Sequence, residues 1–131
     1  MTKIAHLIAG MLMGGLLVVL ASAVASKVSA QDPVKLAPGQ YKVLLENEQV
    51  RVFEYRLKPG EKEPTHSHPF GVVVYFFSNA KLRTTLPDGR SVEDSRKAGE
   101  AIWREPVTHA GENIGNTELP ALVIEPKNAC K

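Results

Sequence analysis

From Asp32 onward the sequence predicts an all-β domain, on three observations. Short apolar stretches alternate with turn residues, no window is long and periodic enough for a helix of three turns, and the stretches recur at roughly 8 to 12 residues, the rhythm of a sandwich or barrel. In order, the predicted strands are Tyr41 to Leu45, Val50 to Leu57, Thr65 to His68, Val72 to Phe77, Leu82 to Leu86, Ser91 to Ser95, Ala101 to Arg104, Thr108 to Ala110 and Ala121 to Glu125. Between them, Lys58-Pro59-Gly60-Glu61 and Lys97-Ala98-Gly99-Glu100 read as turns and Pro87-Asp88-Gly89-Arg90 as a tight hairpin, each with glycine where a positive φ is needed. The stretch Val72 to Phe77 is apolar at every position. Both its faces are therefore expected to be covered, either inside a small barrel or by a second copy of the chain in a homodimer.

The 131-residue chain has room for one domain, and its first quarter has a different composition. Ile4 to Ser26 is uncharged and rich in Leu, Val, Ala and Gly, between Lys3 and Lys27. That pattern predicts a signal peptide over residues 1–30, with small-residue cleavage sites ending at Ala23, Ala25 and Ala30, and a mature domain over 31–131. The rival reading is an uncleaved membrane anchor, because a helix of that length crosses roughly 30 Å of hydrocarbon. Under both the domain lies outside the cytoplasm, periplasmic or secreted, and it meets a membrane only if the segment stays attached.

The chain has 16 basic and 14 acidic residues. Removing residues 1–30 removes Lys3 and Lys27 and no acid, so the mature part balances at 14 of each. A neutral domain with charges of alternating sign gives no reason to expect nucleic acid as partner. The one cysteine, Cys130, cannot staple its own chain, so a hydrophobic core, helped by metal or dimerisation, must hold the fold. No Ser-His-Asp or Cys-His arrangement offers a nucleophile, and no glycine loop of the mature domain has the form of a phosphate cradle.

Chemistry concentrates in the histidines. His66 and His68 in Thr65-His66-Ser67-His68-Pro69-Phe70 lie two apart, so on a strand they share a face with Cα atoms roughly 6.6 Å apart and their imidazoles can converge on one ion. His109 supplies a third imidazole from a later strand, and the remaining histidine, His6, belongs to the export segment. Phe70 and Trp103 are candidates for either the barrel mouth or the core.

The order of these features resembles the cupin family. Gly60, His66 and His68 match the spacing G-x5-H-x-H of that family's first motif, and Gly99, Pro106, His109 and Asn113 resemble its second. The resemblance covers nearly all of Tyr41 to Glu125 and implies a double-stranded β-helix, or jelly-roll barrel, holding a metal between strands. Two departures matter. Val72 and Val73 stand where the first motif places its glutamate, and Pro106-Val107-Thr108-His109 is a contracted second motif. The resemblance therefore implies a divalent transition metal, iron, nickel, copper or zinc, on His66, His68 and His109, with open positions for a small-molecule ligand or substrate. An acid can be recruited from Glu112, three residues past His109; the offset is wrong for one strand face, and a bulge at Gly111 would re-aim it as the candidate catalytic residue. Three readings follow: a dioxygenase or isomerase-like enzyme, a metal- or ligand-binding module without turnover, and a metal-free barrel serving as an interaction domain.

Overall fold

A computed structural model of the chain describes residues 31–127. Residues 1–30, expected to be an export segment, and Cys130 lie outside the described residues. A one-turn helix α1 (Pro33–Leu36) precedes nine strands: β1 (Tyr41–Glu46), β2 (Val50–Leu57), β3 (His66–His68), β4 (Val72–Phe76), β5 (Ala80–Thr85), β6 (Ser91–Arg96), β7 (Ala101–Arg104), β8 (Val107–Asn113) and β9 (Leu119–Pro126). Helix α1 is set by Pro33 at its first position and by the Asp32 carboxylate, which accepts from the Val34 amide at 3.0 Å.

The strands form two layers. One sheet runs β1-β2-β9-β4-β7 and the other β3-β8-β5-β6, with every pairing antiparallel. Gly60, Gly89 and Gly99 have φ of 74°, 86° and 82°, as the turn reading requires. All nine predicted strands are present, and the largest difference in extent is β8. The predicted strand ends at Ala110, yet Gly111, Glu112 and Asn113 continue it, pairing in unbroken register with Thr84, Arg83 and Leu82 of β5. Cross-strand hydrogen bonding outweighs local preference there, and Gly111 forms no bulge.

Alternation, strictest along β9, builds the core. Strand β9 buries Leu119, Ala121, Val123 and Glu125 and turns the residues between them outward. Opposite lie Phe53 and Leu57 of β2 and Val72 and Phe76 of β4, all nearly or wholly inaccessible. The inner face of this sheet is thus apolar except where Glu125 and Arg104 enter it.

One row of the outer face is apolar as well. Leu45, Val52, Ile124, Val73 and Trp103 stand opposite one another in a single row across all five strands. Trp103 is 51% exposed and Leu45 equally so. Strand β4, expected to be covered on both faces, is covered on its inner face, while Tyr75 and Phe77 remain exposed beside this row. Trp103 thus lies outside both core and cavity, its indole N–H donating to Glu105 at 2.7 Å, and Phe70 is likewise exposed.

Candidate metal centre

Strand register brings the three histidines together. His66 on β3 stands directly opposite His109 on β8, and His68 follows two residues along the same face. All three are buried, and one ring nitrogen from each lies within 4.8 Å of the others. The rings of His66 and His109 are 4.5 Å apart between centroids, those of His66 and His68 4.8 Å.

The hydrogen bonds fix which nitrogens face inward. His66 Nδ1 lies 3.0 Å from the Pro64 carbonyl oxygen, which only accepts, so the proton of a neutral His66 sits on Nδ1. His68 Nδ1 lies 3.3 Å from a Glu125 carboxylate oxygen, which orients that ring in the same way. Both Nε2 atoms are then unprotonated, and they face each other at 3.0 Å. Two lone pairs at that distance repel unless a cation lies between them. His109 adds to the demand, because both of its ring nitrogens are buried and have no hydrogen-bond partner. Three inward nitrogen donors, two of them oriented by outer partners, fit a divalent transition metal.

Burial sets the charge state of these rings. Desolvation, with the neighbouring His68 imidazole adding to it, lowers the His66 pKa to about 4 against the Pro64 hydrogen bond. The His109 pKa falls to about 2, again mainly through burial and then through His66 and Arg104. Both are neutral at physiological pH and ready to ligate.

The same cavity, about 50 Å³ in volume, holds a carboxylate at Glu63. Glu63 is 6% exposed, accepts a hydrogen bond from the Tyr41 hydroxyl, and has an oxygen 4.0 Å from His66 Nδ1. Tyr55 stacks on Tyr41 at 4.9 Å between ring centroids and also favours the ionised form of Glu63. Desolvation outweighs both tyrosines and raises the Glu63 pKa to about 7.

Glu112 does not join this group. It lies on the other face of β8, paired with Arg83 at 2.9 Å and Lys62 at 3.8 Å. With no bulge at Gly111, the offset of three from His109 leaves Glu112 pointing away. The carboxylates that reach the histidines are Glu63 and Glu125. Asn113, the last residue of the second motif, joins β8 to the β2 end and the following loop through Leu57 and Thr117 carbonyls, each accepting from its side-chain amide.

Gly111 makes room for Glu63. A Cβ on Gly111 would run into the Glu63 carboxylate, 3.0 Å from its Cδ, while the Glu63 amide donates to the Gly111 carbonyl at 2.9 Å and holds the two together. Gly111→Ala is therefore expected to destabilise the protein by about 1–3 kcal/mol. In a Glu63→Ala background the same change is expected to cost much less, and a double-mutant cycle by chemical denaturation reads the difference.

The solved structures give this arrangement a family. A cupin domain from Bordetella pertussis Tohama I superposes with a TM-score of 0.62 at 32% sequence identity, over 67% of this chain and 92% of that one. The chain belongs to the cupin family. A double-stranded β-helix protein from Klebsiella pneumoniae matches this cupin at 25% identity and TM-score 0.53, over 69% of this chain and 78% of the other. The polyketide cyclase RemF from Streptomyces resistomycificus shares the fold at 21% identity and TM-score 0.52, over 67% of this chain and 64% of its own. No protein-family model matches the chain, and no curated protein does.

Proposed function

We propose that this cupin is an exported metal-dependent enzyme acting on a small organic molecule, with the metal held by His66, His68 and His109. The observation that carries the reading is the pair of inward Nε2 atoms 3.0 Å apart, each belonging to a ring whose other nitrogen is turned to an acceptor. When bound, the metal would supply Lewis-acid polarisation of a substrate oxygen at the coordination positions three histidines leave open. Neutral imidazoles without a carboxylate suit iron, nickel, copper or zinc.

The chain's own residues supply the rest. Glu63, buried beside the cluster with a pKa near 7, can hold or release a proton close to working pH, which is the property a general acid or base requires. The Tyr41 hydroxyl fixes the direction of its carboxylate. Glu125 keeps His68 in the tautomer that ligates. A cavity with a poised acid supports turnover over storage. The apolar segment before Lys27 supports export, and the apolar row from Leu45 to Trp103 supports a homodimer in which a second copy covers that face.

Metal content after reconstitution tests the reading. Wild type is expected to hold one metal ion per chain and His66→Ala none. Glu125→Gln is expected to bind about 10- to 100-fold more weakly, since the outer partner of a ligating histidine contributes that much. Wild-type protein that takes up none of the four metals would sink the proposal, and oxygen consumption by iron-loaded protein with thiols, diketones and phenolics separates an oxygenase from other chemistry.

A further inference from the structure

Among the described residues Arg104 is the arginine without an ion-pair partner. The chain has arginines at 51, 56, 83, 90, 96 and 104, and the first five each reach a carboxylate within 3.2 Å, Arg51 on Asp32, Arg56 on Glu54, Arg83 on Glu93, Arg90 on Asp88 and Arg96 on Asp94. Among the described residues Arg104 makes neither an ion pair nor a side-chain hydrogen bond. Yet it is the arginine that lines the histidine cavity.

Its position follows from register. Arg104 stands opposite Val72 on β4 and two residues from Ile102, so it shares the inner face of the sheet, while Trp103 between them faces out. Gly71 lets β7 come this close: a Cβ there would lie 2.7 Å from the Arg104 carbonyl oxygen. The guanidinium is felt throughout the cavity, where its charge acts on Glu63, His66 and His109.

The acid that lines the cavity, Glu63, and the one behind His68, Glu125, are already engaged. The Glu63 carboxylate takes hydrogen bonds from tyrosine, and Glu125 is turned to His68. Neither comes within ion-pair distance of Arg104. Arg104 is partly buried, and its guanidinium carries five donors in a planar fork that a planar anion of matching geometry would engage through two of them at once. A divalent ion on the three neutral histidines would bring the positive charge to three with Arg104, against at most two negative charges from Glu63 and Glu125.

We infer that the cavity binds a small carboxylate anion, its two oxygens on the Arg104 guanidinium and its carbon chain against the apolar wall of Val72, Phe76 and Val123. A cavity of about 50 Å³ limits that anion to a short chain. The wall is apolar because these three side chains alternate inward from β4 and β9. The inference deepens the metal reading, since metal and guanidinium would act on the same molecule, and it stands on Arg104 without it.

The test is a ligand-detected NMR titration of the full-length protein, at low chloride, with acetate and with its neutral isostere acetamide. It uses metal-free and zinc-loaded wild type, Arg104→Gln and Arg104→Lys, with zinc content measured for each. Acetate is expected to bind wild type at least about tenfold more tightly than acetamide, and Arg104→Gln is expected to lose about that factor with zinc content unchanged. Arg104→Lys, which keeps the charge without the fork, is expected to fall between. Acetate binding in folded Arg104→Gln within about twofold of wild type would overturn the inference, as would equal binding of acetamide. Zinc-loaded wild type that ignores acetate overturns it and leaves the metal reading standing. Wild type without zinc whose metal-free form loses acetate binding in Arg104→Gln does the reverse.

Discussion

Replacing His109 with leucine is expected to make the metal-free protein more stable, by about 1–3 kcal/mol, while abolishing metal binding. Both ring nitrogens of His109 are buried without a partner, and an unsatisfied buried polar atom costs about that much. Leucine is of similar volume and carries no polar atom, so it removes the penalty without opening a large cavity. The change also relieves His66, whose ring lies 4.5 Å from that of His109. For a domain near 100 residues the gain corresponds to a rise in Tm of about 4–8 °C per kcal/mol. A histidine whose loss stabilises the apo fold is kept for a ligand, which is the stability cost that functional sites carry. Thermal unfolding in a chelator decides it: a metal-free His109→Leu protein less stable than metal-free wild type would mean that His109 serves the fold.

The strands were legible because burial here is one-sided and period two is hard to mistake. Leu119, Ala121 and Val123 on β9 show it most clearly, with the next inward position, Glu125, breaking the apolar series. That break was a readable signal of a functional acid, since a lone carboxylate at an inward position needs a partner, and it is the one that orients His68. The histidine cluster was legible for the same reason, two ligands two residues apart on one face and a third on a later strand.

Glu63 gave no such signal. It sits in the connection between β2 and β3, where no periodicity assigns a direction, and only the approach of Gly111 on β8 reveals that it turns inward. Glu112 misled because Gly111 beside it looks like a place for a bulge. The glycine is there to clear space for Glu63, a packing reason that lies about fifty residues away in the chain and leaves no local trace. Val72 and Val73, which replace the expected acid after His68, are likewise explained by the fold: Val72 is 1% exposed in the core and Val73 belongs to the outer apolar row. The acid that faces the cluster comes from before the histidine pair and from β9.

That substitution of acids has a measurable consequence for acid stability. In the metal-free protein His66 and His109 have pKa values of about 4 and about 2, below the ordinary 6.5, so between those limits the unfolded chain binds protons that the native state does not. Stability from these two groups is fully present above pH 6.5 and is lost progressively as pH falls from 6.5 to about 4 for His66 and about 2 for His109. Glu63 acts in the opposite sense. Its pKa near 7 stands above the ordinary 4.5, so the native state keeps a proton that the unfolded chain releases, and stability from this group is lost as pH rises from 4.5 to 7. Between pH 4.5 and 6.5 two protons favour unfolding and one opposes it, which leaves a net slope of about 1.4 kcal/mol per pH unit from these three groups. Glu63→Gln removes the opposing proton while keeping an oxygen for Tyr41 to donate to, so its slope over the same range is expected to approach about 2.7 kcal/mol per pH unit. Denaturant unfolding of both proteins in chelator, at half-unit steps from pH 4.5 to 6.5, measures the two slopes directly. Equal slopes would show that Glu63 is ionised in the native cavity, and would remove its proton from any role beside the histidines.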